Sequence, residues 1–154
     1  MADGTTRPIE EITVGQLVVG AAGSINRVES IETPRLGSRR LHALNGGHYF
    51  VTAEHPFMTD DGWKAIDPQA TSRENPALVV GKLKVGDRLH ALSGVLATVG
   101  SGAGFSGGAA EIDVEMIELQ QIDEQVAESD TTVYNLRLDG NHTYFANDLL
   151  VHNK

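Results

Sequence analysis

The chemistry this chain could do is concentrated at its C-terminal end, in His152 and Asn153, with Lys154 following. An asparagine can cut its own backbone. Its side-chain amide attacks its own carbonyl carbon, a succinimide ring closes, and whatever follows is released. The unassisted reaction is slow, so the fold must polarise the carbonyl, protonate the departing amine and hold the amide on target. His152 brings an imidazole next to Asn153. A second imidazole, His142, lies ten residues before His152, close enough for both to bracket one site across a hairpin. His152 is the expected polariser of the carbonyl and His142 the expected proton shuttle. The residue types alone leave the reverse assignment open, and His142 also fits a plain turn cap.

A second constellation is Thr52-Ala53-Glu54-His55-Pro56-Phe57. Pro56 biases His55 toward extended backbone. If the chain turns here, the Thr52 hydroxyl and the His55 imidazole share a pocket, where they could hold a strained peptide bond and deliver a proton to its amide nitrogen. A turn histidine without chemistry fits the same residues. Asp60-Asp61-Gly62-Trp63 reads as a tight turn that returns Trp63 to the apolar core.

Other chemistries find less support. The six histidines, His42, His48, His55, His90, His142 and His152, are scattered without ligand spacing, so no metal and no cofactor is expected. Carboxylates at Glu10-Glu11, Glu54 with Asp60, and Asp60-Asp61 fall in turn-like places where nothing fixes the separation a hydrolase needs. The chain has no cysteine, which removes disulfides, thiolate metal sites and thiol nucleophiles together and assigns no compartment. The glycine-rich stretch 99–110 lacks the lysine of a phosphate-binding loop and reads as a flexible surface loop.

The elements that must position these residues are short. Seventeen glycines and five prolines interrupt many brief runs of branched residues among 154, a pattern of strands and turns in one domain, 1–154. Strand-like runs lie at Ile12–Val14, Leu17–Val19, Ile25–Ile31, His48–Ala53, Leu78–Val80, Leu83–Val85, Leu89–Leu92 and Val133–Leu138. Strand and helix both fit Val114–Ile122. Thr143–Phe145 and Leu149–Val151 form a closing hairpin, with Asn147-Asp148 as its turn. Ile12-Thr13-Val14-Gly15-Gln16-Leu17-Val18 resembles Leu83-Lys84-Val85-Gly86-Asp87-Arg88-Leu89, as a fold of two related halves would produce.

A net charge of −9 argues against nucleic acid, whose phosphates need concentrated basic residues. The one small basic cluster, Arg35, Arg39 and Arg40, reads as a solvated turn. No apolar run is long enough to span a bilayer, so no membrane partner is expected. A monomer is expected.

Together these blocks resemble the Hint family, which includes inteins, hedgehog autoprocessing domains and bacterial intein-like domains. Met1 to Thr5, followed by Pro8-Ile9-Glu10-Glu11-Ile12 and Val14-Gly15, is similar to its N-terminal segment. Thr52-Ala53-Glu54-His55-Pro56 is similar to its central Thr-x-x-His block. Val133-Tyr134-Asn135-Leu136 through His142, Tyr144 and Phe145 to Val151-His152-Asn153 is similar to its two C-terminal blocks. The resemblance covers nearly the whole chain and implies an all-β, curved, pseudo-two-fold Hint fold. It also implies self-processing in cis on flanking precursor segments, as a single-turnover event. Thr52 and His55 would activate an upstream bond; His142, His152 and Asn153 would cleave before Lys154. Two departures follow. The family's N-terminal nucleophile, usually cysteine, is absent, so loss of the N-terminal acyl shift is expected. Lys154 stands where splicing inteins carry Cys, Ser or Thr, so cleavage rather than splicing is expected. The alternative is a degenerate Hint module with a structural or interaction role and no chemistry.

Overall fold

The computed structural model describes residues 6–99 and 109–153. The order is β1 (Leu17–Val19), β2 (Ile25–Glu32), β3 (Leu41–Leu44), β4 (Phe57–Thr59), β5 (Gly62–Ala65), α1 (Pro68–Glu74), β6 (Gly81–Lys82), β7 (Arg88–Val99), β8 (Ala109–Glu118), β9 (Ile122–Gln125), β10 (Asn135–Leu138), β11 (Thr143–Ala146) and β12 (Leu149–His152). The fold is all-β, with one short α-helix among the described residues. It divides into two compact units: the described residues of Met1–Glu32, Ala91–Glu115 and Tyr134–Asn153, and those of Thr33–His90 and Met116–Val133.

In the first unit, β2 lies between β1 and β10, both antiparallel to it. β11 and β12 pair antiparallel as the expected hairpin, and Leu149 of β12 pairs with Ala91 of β7. The hairpin turn is Asn147-Asp148, with φ of 47° and 64°. Positive φ at both central residues is the type I′ requirement, and Asn and Asp tolerate it. Leu149, Leu150 and Val151 are all buried, so β12 hides both faces and reads as an unbroken apolar run rather than an alternating one.

In the second unit, β3 pairs antiparallel with β9, β4 with β5, and β5 runs parallel to β6. Thr59 of β4 pairs with Leu89 at the start of β7. Phe57, Leu36, Leu89 and Leu119 are its largest fully buried side chains. Asp60-Asp61 forms the expected turn between β4 and β5, and Gly62 takes φ 99° there. Trp63 is half-buried opposite Met58 rather than deep in the core.

The resemblance between the two seven-residue segments is structural as well. In the first unit Gly15 N–H donates to the Val28 carbonyl (2.8 Å), and Val28 N–H returns to the Gln16 carbonyl (2.9 Å). Gln16 N–H reaches the Thr13 carbonyl (3.3 Å), while the Gln16 side chain accepts from Thr13 N–H (3.0 Å). The second unit repeats every bond. Gly86 N–H donates to Leu119 (2.8 Å), Leu119 N–H to Asp87 (2.7 Å), Asp87 N–H to Lys84 (3.1 Å), and the Asp87 carboxylate accepts from Lys84 N–H (2.8 Å). Both glycines have φ near the same value, 91° and 101°.

Several sequence expectations are corrected. Ile12–Val14 and Leu83–Val85 are not strands; they enter the two equivalent turns just described, which leaves Val14 and Val85 exposed. Leu78–Val80 is irregular, with Val79 89% exposed. His48–Ala53 is not a strand. Phe50 N–H donates to the His42 carbonyl (3.1 Å) and the Val51 carbonyl accepts from His42 N–H (2.8 Å), so two residues share one partner and the ladder stops. Val133 and Tyr134 precede β10 rather than belonging to it. Where strand and helix both fit Val114–Ile122, Val114–Glu118 is strand. Of the glycine-rich stretch, 100–108 lies outside the described residues, while Val99, Ala109 and Ala110 are strand. α1 was not foreseen. Its signal is Asp67-Pro68: the Asp67 side chain caps Ala70 N–H (3.1 Å) and proline sits in the first turn. The arginine cluster lies between β2 and β3, and each member has a partner: Arg35 the Asp130 carbonyl, Arg39 Glu54, Arg40 Glu124.

The paired turns make a test. A Cβ on Gly15 or Gly86 would meet nothing within 4 Å, so substitution costs only backbone strain. Gly15→Ala and Gly86→Ala should each destabilise by roughly 1–3 kcal/mol, and by similar amounts, in urea unfolding. A cost at one turn and none at the other would break the equivalence.

Candidate functional site

The β11–β12 hairpin assembles His142, His152 and Asn153. Its register pairs Thr143 with His152, Tyr144 with Val151 and Phe145 with Leu150. Carried one step further, it puts His142 opposite Asn153, and Asn153 N–H donates to the His142 carbonyl at 2.9 Å. The two positions are therefore cross-strand partners at the open end of the hairpin. The imidazoles of His142 and His152 lie 6.0 Å apart between centroids.

Each ring is oriented by a backbone carbonyl. His152 Nδ1 is 2.5 Å from the carbonyl oxygen of Asn153, the carbonyl that an attack by the Asn153 side chain would strike. His142 Nδ1 is 2.6 Å from the Leu138 carbonyl oxygen. Two acceptors would repel at these distances, so in both rings Nδ1 carries a proton and donates. Where such a ring is neutral, Nε2 is its basic nitrogen. His152 is half-buried and His142 more exposed. Burial lowers the His152 pKa below 6.5, the bond to the Asn153 carbonyl works against that shift, and the neighbouring His142 adds to it. His152 is thus held neutral near pH 7 while still donating to the carbonyl.

Asn153 is 7% exposed, and its side-chain oxygen has no hydrogen-bond partner among the described residues. No bond from a described residue to that oxygen has to break before the amide swings toward its own carbonyl carbon. Tyr144, paired with Val151 on the hairpin, is buried, and burial raises its pKa, so its hydroxyl stays protonated.

Thr52 and His55 belong to the other unit. The chain turns there as the spacing suggested: His55 N–H donates to the Thr52 carbonyl at 3.3 Å, and both residues are buried. The His55 ring packs edge-on to Phe57, with centroids 6.2 Å apart. What the sequence reading missed is the support for this turn. Glu54, 3% exposed, pairs with Arg39 at 2.7 Å. The buried Thr71 hydroxyl of α1 donates to the Glu54 carbonyl at 2.6 Å, and Asp67 N–H donates to Ala53 at 2.8 Å. The only sequence signals for these partners were the cap pattern at Asp67-Pro68 and the acid-base complement of Arg39 and Glu54. Among the described residues no group of three or more His, Asp or Glu is placed to hold a metal ion. No described helix is long and apolar enough to cross a membrane.

No family model and no curated protein matches the chain. Solved structures do. The crystal structure of gp41-1 intein superposes with a TM-score of 0.58 at 21% identity, covering 96% of this chain and 87% of that one. Ssp DnaB mini-intein variant M86 gives 0.56 at 17% identity, covering 99% of this chain and 86% of that one. Its G-1F mutant gives 0.52, also at 17% identity, covering 96% and 88%. The chain therefore has the intein, or Hint-like, fold over nearly its full length.

The depressed His152 pKa has a signed consequence. The fold favours the neutral ring, so the stability this contributes is complete above the ordinary histidine value and is lost as pH falls through the lowered one. NMR titration should place the His152 midpoint below 6.5. His152→Gln should flatten the acid-side fall in melting temperature. A midpoint at or above 6.5 contradicts the assignment of burial as the dominant influence.

Proposed function

We propose that the domain processes its own precursor, cleaving the Asn153–Lys154 peptide bond through cyclisation of Asn153. One observation carries this reading: His152 Nδ1 is held 2.5 Å from the Asn153 carbonyl oxygen. A donor there stabilises the negative charge that builds on the oxygen as the carbonyl carbon becomes tetrahedral. The Asn153 side-chain nitrogen bonds to that carbon, the bond to the Lys154 nitrogen breaks, and the proton lost by the amide passes to the departing amine. His142, with Nδ1 engaged on Leu138 and Nε2 basic, carries that proton. The retained fragment ends in a succinimide, which water opens. The partner is the precursor segment in cis, and each molecule reacts once. Lys154 offers no hydroxyl or thiol to accept an acyl group, so cleavage rather than ligation is the outcome.

Thr52 and His55 serve a different bond in this reading, one upstream of the domain. Their turn is braced by the Glu54–Arg39 pair and by Thr71, as a group that must hold a strained peptide requires. A side-chain nucleophile at that bond would be required, and the chain contains no cysteine to supply a thiol.

The central test extends the chain beyond Lys154 with a reporter domain and follows intact mass at neutral pH. Loss of the reporter should leave a fragment ending at Asn153 as succinimide or its hydrolysis product. Asn153→Ala should stop the reaction, and His142→Ala should slow it about 10²-fold or more. An extended protein that stays whole for days, with or without an upstream segment restored, favours a structural module with no chemistry.

A companion test places a cysteine-bearing segment upstream of Met1 and adds a small thiol. Thiol-induced cleavage should appear, and His55→Ala should abolish it while leaving reporter release at Asn153 largely intact. Undiminished thiol cleavage in the variant removes His55 from the chemistry.

A further inference from the structure

His142 has φ +62°, a left-handed backbone that few residues other than glycine adopt, though histidine, asparagine and aspartate tolerate it better than most. From that backbone position the ring Nδ1 lies 2.6 Å from the Leu138 carbonyl oxygen. The residues on either side of His142 converge on one buried side chain. Asn26 of β2 is 1% exposed. Its amide nitrogen donates to the Asn141 side-chain oxygen (2.8 Å) and to the Thr143 carbonyl (2.8 Å), with a longer bond to the Ser24 hydroxyl (3.3 Å). The Asn141 oxygen also accepts from the Thr143 hydroxyl (2.6 Å) and the Ser24 hydroxyl (3.1 Å). The Thr143 hydroxyl is fixed in turn by Ala21 N–H at 2.8 Å. Two glycines make room: a Cβ at Gly140 would come within 2.3 Å of the Asn26 side-chain oxygen, and one at Gly20 within 2.6 Å of its nitrogen.

We infer that Asn26 is the positioning residue for His142, clamping Asn141 and Thr143 so that the intervening imidazole is held at the Asn153 site. It touches neither Asn153 nor His152 in any hydrogen bond described above and acts through the Asn141 side chain on one side of His142 and the Thr143 backbone on the other. The inference rests on the proposed role of His142 in cleavage. An amide was needed because both targets are acceptors and lie on opposite flanks of one residue.

Asn26→Asp preserves shape but sets a carboxylate against two carbonyl oxygens. In the reporter-extended protein it should slow release roughly 10- to 100-fold, as small displacements of a catalytic group do. Asn141→Ala, at an exposed position, removes one acceptor and should slow release in the same direction without threatening the fold. The decisive measurement is the double variant: Asn26→Asp should add no further loss to His142→Ala. Full, multiplicative loss in the double variant, or undiminished release in both single variants, overturns the proposal. If the parent protein never releases its reporter, the cleavage reading has failed on its own account. The His142 imidazole resonances then decide: a shift on Asn26→Asp with the melting temperature kept supports the clamp, and unmoved resonances overturn it.

Discussion

The hydrogen bond from Asn153 N–H to the His142 carbonyl is the contact on which the candidate site depends. It is the last rung of a ladder whose first constraint is the type I′ turn at Asn147-Asp148. A two-residue turn of that kind admits one register. In that register the apolar side chains of β12 go inside and His142 faces Asn153. A slip of one residue would no longer fit the two-residue turn and would separate the two candidate groups at once. The turn and the chemistry therefore select the same pairing. The site needs no special device to find its alignment beyond what folding the hairpin already imposes.

The two rings show how backbone carbonyls can assign roles to identical side chains. Both imidazoles donate through Nδ1, yet their acceptors differ in consequence. Leu138 offers a carbonyl that takes no part in chemistry, so His142 is simply aimed. Asn153 offers the carbonyl that would react, so on the cleavage reading His152 would act on it directly. The sequence left the division of labour between the two histidines open because it depends on which oxygen each ring meets, and that is a property of the hairpin end.

What the sequence disclosed most reliably was local. The hairpin, its Asn-Asp turn, the trio His142, His152 and Asn153, and the turn from Thr52 to His55 all follow from residues within a few positions of each other. The repeat at Gly15 and Gly86 was legible because the same hydrogen-bond circuit requires a glycine at the same place. Errors came where composition stood in for pairing. His48–Ala53 is rich in strand formers, but Phe50 and Val51 share His42 and cannot extend a ladder. Val14, Val79 and Val85 are branched residues left in water by turns, so context overrode intrinsic preference. Asn26 was invisible for another reason. The two partners that flank His142 lie more than a hundred positions away, and nothing near Asn26 marks a polar residue meant for the interior.

The position of the reacting bond relative to the ladder has a mechanical meaning. Asn153 is anchored through its N–H, on the amino side of its own α-carbon, whereas the bond that would break lies beyond its carbonyl. Rupture there severs no rung, exposes no core residue of β12 and demands no rearrangement of the strands. On the cleavage reading, the domain leaves the event with its architecture intact and its terminus still docked. Nothing in the hairpin acts as a spring or latch to eject the freed segment. Its departure would be a matter of ordinary diffusion, and the irreversibility would come from dilution and hydrolysis of the ring rather than from collapse of the scaffold.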